Sequence, residues 1–198
     1  MLVKLSEIQD HLSNFTVGIA GAGGLGSNCA IALARSGVGT LIICDFDKVE
    51  IGNLSRQYYF SDQIGMYKTA ALKDNIARIN SDMRVIIYQK KLEPSDIPLV
   101  FSSCDIIVEA FDHAEMKEML IESVQTGLPG KPIIVGSGLA GWGNNELIRS
   151  RKVDETLYVC GDESTEVGDL PPMAPRVGIV ANMQANLAIE ILMKLKHI

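Results

Sequence analysis

Four glycines, Gly21, Gly23, Gly24 and Gly26, fall within six residues of one another near the start of this chain. Their G-x-G-x-x-G spacing suits an anion. The run before them, 15–20, is short, apolar and rich in β-formers. The run after them, 24–36, carries apolar residues at helical spacing and stops at Gly37. A strand, a glycine turn and a helix start put unpaired backbone N–H groups and the positive end of a helix dipole in one place. A tight strand-to-helix turn can carry glycines for its own geometry, so it is the flanking strand and helix that point to phosphate. Asp45, 19 residues past Gly26, closes the next apolar run. A nucleotide fold places an acid there to bond ribose hydroxyls. Asp47 is left to a metal, a second ribose contact or the loop. Farther along, Asn53 offers a neutral donor, and Arg56 and Lys68 offer two cations. Either cation alone reads as a solvated surface residue. Together they match the charge that a phosphoryl or nucleotidyl transfer must neutralise.

These residues need a scaffold. Strand candidates at 15–20, 39–44, 84–88, 104–110 and 132–136 alternate with helix candidates at 4–13, 24–36, 62–79, 95–101 and 112–126. This rhythm predicts an α/β fold: a Rossmann-like, doubly wound, mostly parallel sheet with helices on both faces. Runs such as Leu41-Ile42-Ile43 and Ile106-Ile107-Val108 are apolar without alternation, as in strands covered on both sides. In the C-terminal part, 146–151 and 156–160 read as two short strands with no helix between them, antiparallel additions to the sheet. A loop rich in Gly, Asp and Pro, 161–175, leads to a last helix at 176–195, and its length marks it as a functional lid. No repeat or linker interrupts the chain, so residues 1–198 are expected to form a single domain.

Of the 198 residues, 47% are hydrophobic and 21% charged, and the formal net charge is −6. That is a soluble globular composition with material for a sizeable core. An acidic chain is a poor general binder of nucleic acid, whose phosphates need a basic face. No apolar stretch reaches membrane-spanning length, and residues 1–14 lack a signal-peptide core. The expectation is a cytoplasmic protein with no nucleic-acid and no membrane partner. The cysteines, Cys29, Cys44, Cys104 and Cys160, form no C-x-x-C pair, which speaks against structural zinc. The first three fall on a helix or beside apolar strands and read as small buried hydrophobes. His11, His113 and His197 share no ligand spacing.

Five motifs stand in order over residues 17–80: Gly21 to Ser27, Gly37-Val38-Gly39-Thr40-Leu41, Asp45-Phe46-Asp47-Lys48-Val49-Glu50, Asn53 to Gln57, and Gly65 to Ala70. The set resembles the MoeB/ThiF/HesA adenylyltransferases, bacterial relatives of ubiquitin-activating enzymes. The likeness continues more weakly through Asp105-Ile106-Ile107-Val108, Asp112 and the last helix with Pro175-Arg176-Val177-Gly178. The resemblance implies that the glycine loop and Asp45 hold ATP, that Arg56 and Lys68 contact its phosphates, and that Asn53 assists near the α-phosphate. It also implies that Asp112 is the essential acid that holds Mg²⁺. The edge of a parallel strand is independently where such folds bind ligands. Asp47 joins the nucleotide-binding set.

The same resemblance implies a function: ATP-dependent adenylation of the C-terminal carboxylate of a small ubiquitin-like sulfur carrier. The absence of C-x-x-C pairs brings the chain nearest the short, zinc-less ThiF branch. A ThiS-like carrier, thiamine biosynthesis and a symmetric homodimer follow from that branch. The carrier tail is expected to end in Gly-Gly, threaded under the 162–175 lid. Three departures stand out. His113 and Lys117 replace the Asn and Arg that follow the essential acid in the family, and no arginine precedes Arg35, where Lys4 is the nearby cation. Cys160, just before the lid, has the position but not the sequence context of the cysteines that some relatives link to their carriers, and reads as a plain strand cysteine. Two other functions compete: an NAD-dependent oxidoreductase, which leaves Arg56, Lys68 and Asp112 without a role, and a non-catalytic nucleotide-binding module.

Overall fold

A computed structural model describes residues 3–165 and 168–195. After helix α1 (Leu5–Leu12), strand β1 (Thr16–Ala20) leads into α2 (Gly24–Ser36) and β2 (Thr40–Cys44). Two short 3-10 turns, Ile51–Ser55 and Ser61–Gln63, then precede α3 (Lys68–Ala77) and β3 (Arg84–Tyr88). Next come α4 (Asp96–Phe101), β4 (Ile106–Glu109), α5 (Ala114–Gly127) and β5 (Ile133–Gly136). The chain closes with β6 (Arg149–Lys152), β7 (Leu157–Gly161) and α6 (Ala174–Lys194).

The seven strands form one sheet in the order β3-β2-β1-β4-β5-β7-β6. From β1 the chain winds outward through β2 and β3, then returns to β4 on the other side of β1. That reversal opens a crevice beyond the carboxyl ends of β1 and β4, where open α/β sheets take ligands. Alternate residues feed opposite layers. Val17, Ile19, Leu41 and Ile43 pack with Leu25, Cys29, Val180 and Ala185, which belong to α2 and α6. Ala20, Ile42 and Ile107 pack with Ile97, Phe101, Leu120 and Val124, which belong to α4 and α5. Both faces of the central strands are therefore covered, which is why they read as unbroken apolar runs.

Two expectations change. The helix expected at 62–79 is divided: Gly65 takes a φ of 90°, the left-handed region that a helix cannot continue through, and α3 begins only at Lys68. Of the two strands expected to be antiparallel additions, only β6 is. β7 pairs parallel with β5, Ile133 opposite Leu157 and Val135 opposite Val159, while β6 pairs antiparallel with β7. β6 itself runs back toward the amino end of the sheet, so the hairpin that follows it restores the direction of β5 in β7. The loop expected at 161–175 is described except at residues 166 and 167. It is tied at both ends: the Asp162 N–H donates to the Gly138 carbonyl at 3.0 Å, and the Gly141 N–H to the Pro171 carbonyl at 3.0 Å.

The turn from β1 to α2 depends on two close approaches. Gly21 has a φ of 101°, and a Cβ there would meet the Ala110 carbonyl oxygen at 2.7 Å. A Cβ on Gly26 would stand 1.9 Å from the Gly21 carbonyl oxygen, backbone that cannot swing aside. Gly26→Ala is therefore expected to destabilise the protein by about 3 kcal/mol, the upper end of the overpacking range, measured as a lowered urea midpoint. An unchanged midpoint would show that the turn has room this geometry denies it.

Candidate nucleotide site

The glycine loop leaves β1 and bends over its carboxyl end. Gly23 is the N-cap of α2 and supplies no side-chain cap, so the first N–H groups of the helix have no intrahelical acceptor. A Cβ on Gly24 would stand 3.0 Å from Val177 Cγ1 and 3.9 Å from Arg56 Cγ, so α6 and Arg56 both flank this helix start. The Arg56 guanidinium makes only long contacts, 3.3 Å to the Gly52 carbonyl and 3.4 Å to Ser55 Oγ. No carboxylate pairs with it among the described residues.

Asp45 joins the loop to the end of β2. Its Oδ2 accepts from the Ala22 N–H at 2.6 Å and its Oδ1 from the Asp47 N–H at 2.8 Å. Burial pushes its carboxyl above the ordinary carboxylate value, against the pull of those two N–H groups and of Lys68. Each carboxylate oxygen has two acceptor directions, so one on each oxygen is left for ribose. Asp47 meets Lys68 instead of standing free: the ammonium lies 2.8 Å from Oδ2, with the lysine side chain 9% exposed and the aspartate 48%. The Lys68 N–H also donates to the Asp47 carbonyl at 2.9 Å. Asn53 accepts from the Glu50 N–H through Oδ1 at 2.9 Å, so its NH₂ is the half left to donate.

Asp112 lies just beyond β4. Its side chain is 90% exposed and its nearest ionic neighbour is His113, at 3.7 Å. It is two residues from Ala110, whose carbonyl abuts Gly21, so it shares the crevice's rim; no contact joins it to Asp45, Arg56 or Lys68. Among the described residues no three of His, Cys, Asp or Glu gather as a metal site, and His197 lies outside those residues. Cys29, Cys44 and Cys104 are buried, as their positions predicted, and so is Cys160. Burial pushes the Cys160 thiol up to about 12.

Several residues that hold the site carry no motif of their own. The Tyr59 hydroxyl donates to the Ala22 carbonyl at 2.6 Å. Ser27 Oγ donates to the Gly23 carbonyl at 2.6 Å and accepts from the Tyr58 N–H at 3.0 Å. Asn28 Nδ2 bridges the carbonyls of Gly24 at 2.7 Å and Arg56 at 2.9 Å. The segment 56–59 is thus sewn to the glycine loop, and this is what brings Arg56 to it. Tyr59 stands 37 residues from Ala22, and no local pattern signals so distant a bond. A second buried set lies under the 138–143 and 162–165 loops. Arg176, 3% exposed, donates to the Gly143 carbonyl at 2.6 Å and pairs with Asp162.

With the geometry in place, likeness to known proteins is informative. The adenylyltransferase and sulfurtransferase MOCS3 of Caenorhabditis briggsae is 33% identical over 195 residues, which are 94% of this chain and 48% of that protein. The molybdopterin-synthase adenylyltransferase of Salmonella typhimurium is 28% identical over 192 residues, 94% of this chain and 76% of that protein. The chain therefore spans about half the length of the first relative and three quarters of the second. In structure, the tRNA N6-threonylcarbamoyladenosine dehydratase TcdA of Escherichia coli, in complex with ATP, superposes with a TM-score of 0.85. It covers 94% of this chain and 89% of its own, but at 18% identity it speaks to the fold alone. The E. coli MccB complex with AMPCPP and MccA superposes at 0.73 with 26% identity, over 94% of this chain and 58% of MccB. The family model for ThiF matches residues 2–198, and the chain belongs to the ThiF family.

Proposed function

We propose that this chain is an adenylyltransferase domain, which binds ATP at the carboxyl edge of its sheet and transfers AMP to the C-terminal carboxylate of a ubiquitin-like sulfur carrier. The observation that carries this reading is the uncapped start of α2 flanked by Arg56, a cation with no carboxylate partner. The relatives named adenylyltransferases support it, as does the AMPCPP complex of MccB, which is 26% identical. An NAD-dependent oxidoreductase would leave Arg56, Lys68 and Asp112 without a role.

In this mechanism a carrier carboxylate oxygen bonds to the α-phosphorus and the bond to the pyrophosphate oxygen breaks. No side-chain nucleophile takes part. The work of the protein is positioning and charge neutralisation. Asp45 holds the ribose, the α2 N–H groups hold phosphate, and Arg56 and Lys68 meet charge that builds on the phosphates, with the Asn53 amide beside them. The Asp112 carboxylate, exposed and free of strong partners, fits a magnesium ion, which takes one or two carboxylates and completes its shell with phosphate oxygens. Bound there, magnesium would neutralise phosphate charge. Cys160, buried with its thiol held protonated, has no covalent part in this reading.

The finer assignment is a ThiS-like carrier ending in Gly-Gly, in a cytoplasmic route to thiamine, with the enzyme acting as a symmetric homodimer. It rests on the resemblance to the short ThiF branch. In α6, Val177 and Val180 are buried in the core while Ile179 and Met193 are exposed, so only the outer face of this helix is open to an interface. The 162–175 segment would cover the extended carrier tail.

Four outcomes test the proposal. ATP–pyrophosphate exchange is expected only when a Gly-Gly carrier is present, and faster with a thiamine-type than a molybdopterin-type carrier; a reversed preference would move the pathway and leave the chemistry standing. Arg56→Ala and Lys68→Ala are each expected to slow adenylation by about 10²–10³-fold, as for loss of one transition-state donor, with smaller losses in ATP affinity. Equal losses in both would make them binding residues only. Asp112→Ala is expected to abolish magnesium-dependent turnover while keeping the native melting temperature, and normal turnover would remove the metal from Asp112. Hydrogen exchange in the 162–175 segment is expected to slow on adding carrier with ATP, and unchanged exchange there would end its covering role.

A further inference from the structure

Gln57 closes the Asn53–Gln57 motif next to Arg56, and the nucleotide reading has so far given it no role. Its side chain is 9% exposed, and its Oε1 is buried with no hydrogen-bond partner. Its Nε2 is the nearest atom to the place a Cβ on Gly23 would occupy, at 3.8 Å, and nothing else comes within 4 Å. The amide therefore stands at van der Waals distance from the place a side chain at the N-cap of α2 would fill, with neither its oxygen nor its NH₂ hydrogen-bonded among the described residues.

The backbone around it is held on both sides. The Gln57 N–H donates to the Asn53 carbonyl at 2.9 Å and its carbonyl accepts from the Tyr59 N–H at 2.8 Å. Tyr59 and Tyr58 are in turn bonded to Ala22 and Ser27. The side chain is thus delivered to Gly23 by a rigid segment, yet it makes no bond on arrival. A buried amide kept for structure alone has its polar atoms satisfied. Turning the amide over exchanges oxygen for nitrogen and leaves the other atom orphaned in the same buried place. An acceptor on the Gly23 side would use the outward NH₂ and so fix which way the amide lies, with Oε1 left inward and unpaired, and the acceptor that an uncapped helix start attracts is an anionic oxygen.

We propose that Gln57 is a further nucleotide ligand, whose side-chain NH₂ donates to a phosphate oxygen seated on Gly23. This rests on the nucleotide reading of the site and adds to it a donor on the opposite side of the segment's own cation: Arg56 flanks Gly24 while Gln57 flanks Gly23. The neutral amide adds direction where Arg56 adds charge.

The test compares wild type with Gln57→Met, which keeps the length and fills the buried site with apolar atoms. ATP and adenosine affinities are measured by calorimetry, and melting temperatures are taken with and without ATP. The variant is expected to bind ATP about tenfold more weakly, as for one lost hydrogen bond to a charged group. It should bind adenosine as wild type does, and melt without ATP at or above the wild-type temperature because an orphaned oxygen has gone. The ATP-induced rise in melting temperature should shrink accordingly. Equal weakening of ATP and adenosine, or a lower melting temperature without ligand, would make Gln57 structural and overturn the proposal. So would unchanged ATP affinity. If wild type itself fails to bind ATP, the nucleotide reading of the whole site falls and takes this proposal with it, whereas ATP binding that is indifferent to Gln57→Met overturns this proposal alone.

Discussion

The two hydrogen bonds accepted by the Asp45 carboxylate, from Ala22 and Asp47, are what the rest of the site hangs on. One oxygen ties the glycine loop to the end of β2, and the other bends the chain after β2 so that Asp47 turns back toward Lys68. Through that turn α3 is brought in, since Lys68 is bonded to Asp47 by both its backbone and its ammonium. Three segments far apart in the chain thus meet at two neighbouring carboxylates, Asp45 and Asp47. Burial works against keeping that carboxylate charged, and the two N–H groups with nearby Lys68 oppose it. The same acid that would bond ribose therefore also builds the loop that would bind phosphate. An Asp45 substitution acts on both, which makes it a poor probe of ribose contact by itself.

Opposite that acid, the 56–59 segment closes the loop from the α2 side. Ser27 and Asn28 sit in the first turns of α2, yet each spends its side chain on the loop carbonyls and on this segment. These small polar residues are mediocre helix formers because they compete for backbone groups, and here the competition is what anchors the turn. The helix start keeps its N–H groups open because its carbonyls are the ones engaged. An anion site results from satisfying one set of backbone dipoles and leaving the other set unsatisfied.

The sheet was legible because its strands are continuous apolar runs and its helices have marked ends, as at Gly37. Gly21, Gly26 and Asp45 were legible because their spacing reflects local geometry: a turn, a close packing and a strand end. The division of 62–79 was harder to see, since the apolar spacing runs on through Gly65, whose N–H is bonded to the distant Val49 carbonyl beside the Lys48–Tyr67 bridge. The direction of β7 was not legible at all. A short strand reads the same in either direction, and what decides is how the segment between β5 and β7 crosses the sheet. The bonds from Tyr59 to Ala22, from Asn28 to Arg56 and from Arg176 to Gly143 were not legible for a related reason: they span 28 to 37 residues, and no local pattern records a bond of that span.

Two lysines show how position settles chemistry. Lys117 stands where the family pattern leads one to expect an arginine near the nucleotide. Its ammonium donates to both oxygens of the fully buried Glu109, at 3.0 and 2.8 Å, and to the Gly136 carbonyl at 3.0 Å. That exhausts its three donors. Glu109 in turn accepts from the Phe111 N–H at 2.6 Å, and Gln184 of α6 donates to the Glu109 carbonyl at 2.8 Å. Lys117 therefore joins β4, β5 and α5 beneath the Asp112 loop and has nothing left to offer a phosphate. Lys68 is the more buried of the two, its side chain 9% exposed against 22%, but it gives only one of its three donors to a side chain, that of Asp47. Asp47 gives the ammonium a counter-charge in its desolvated place while leaving it two N–H groups to donate. Of the two buried ammonium groups, the saturated one holds the frame and the unsaturated one is equipped to meet a nucleotide.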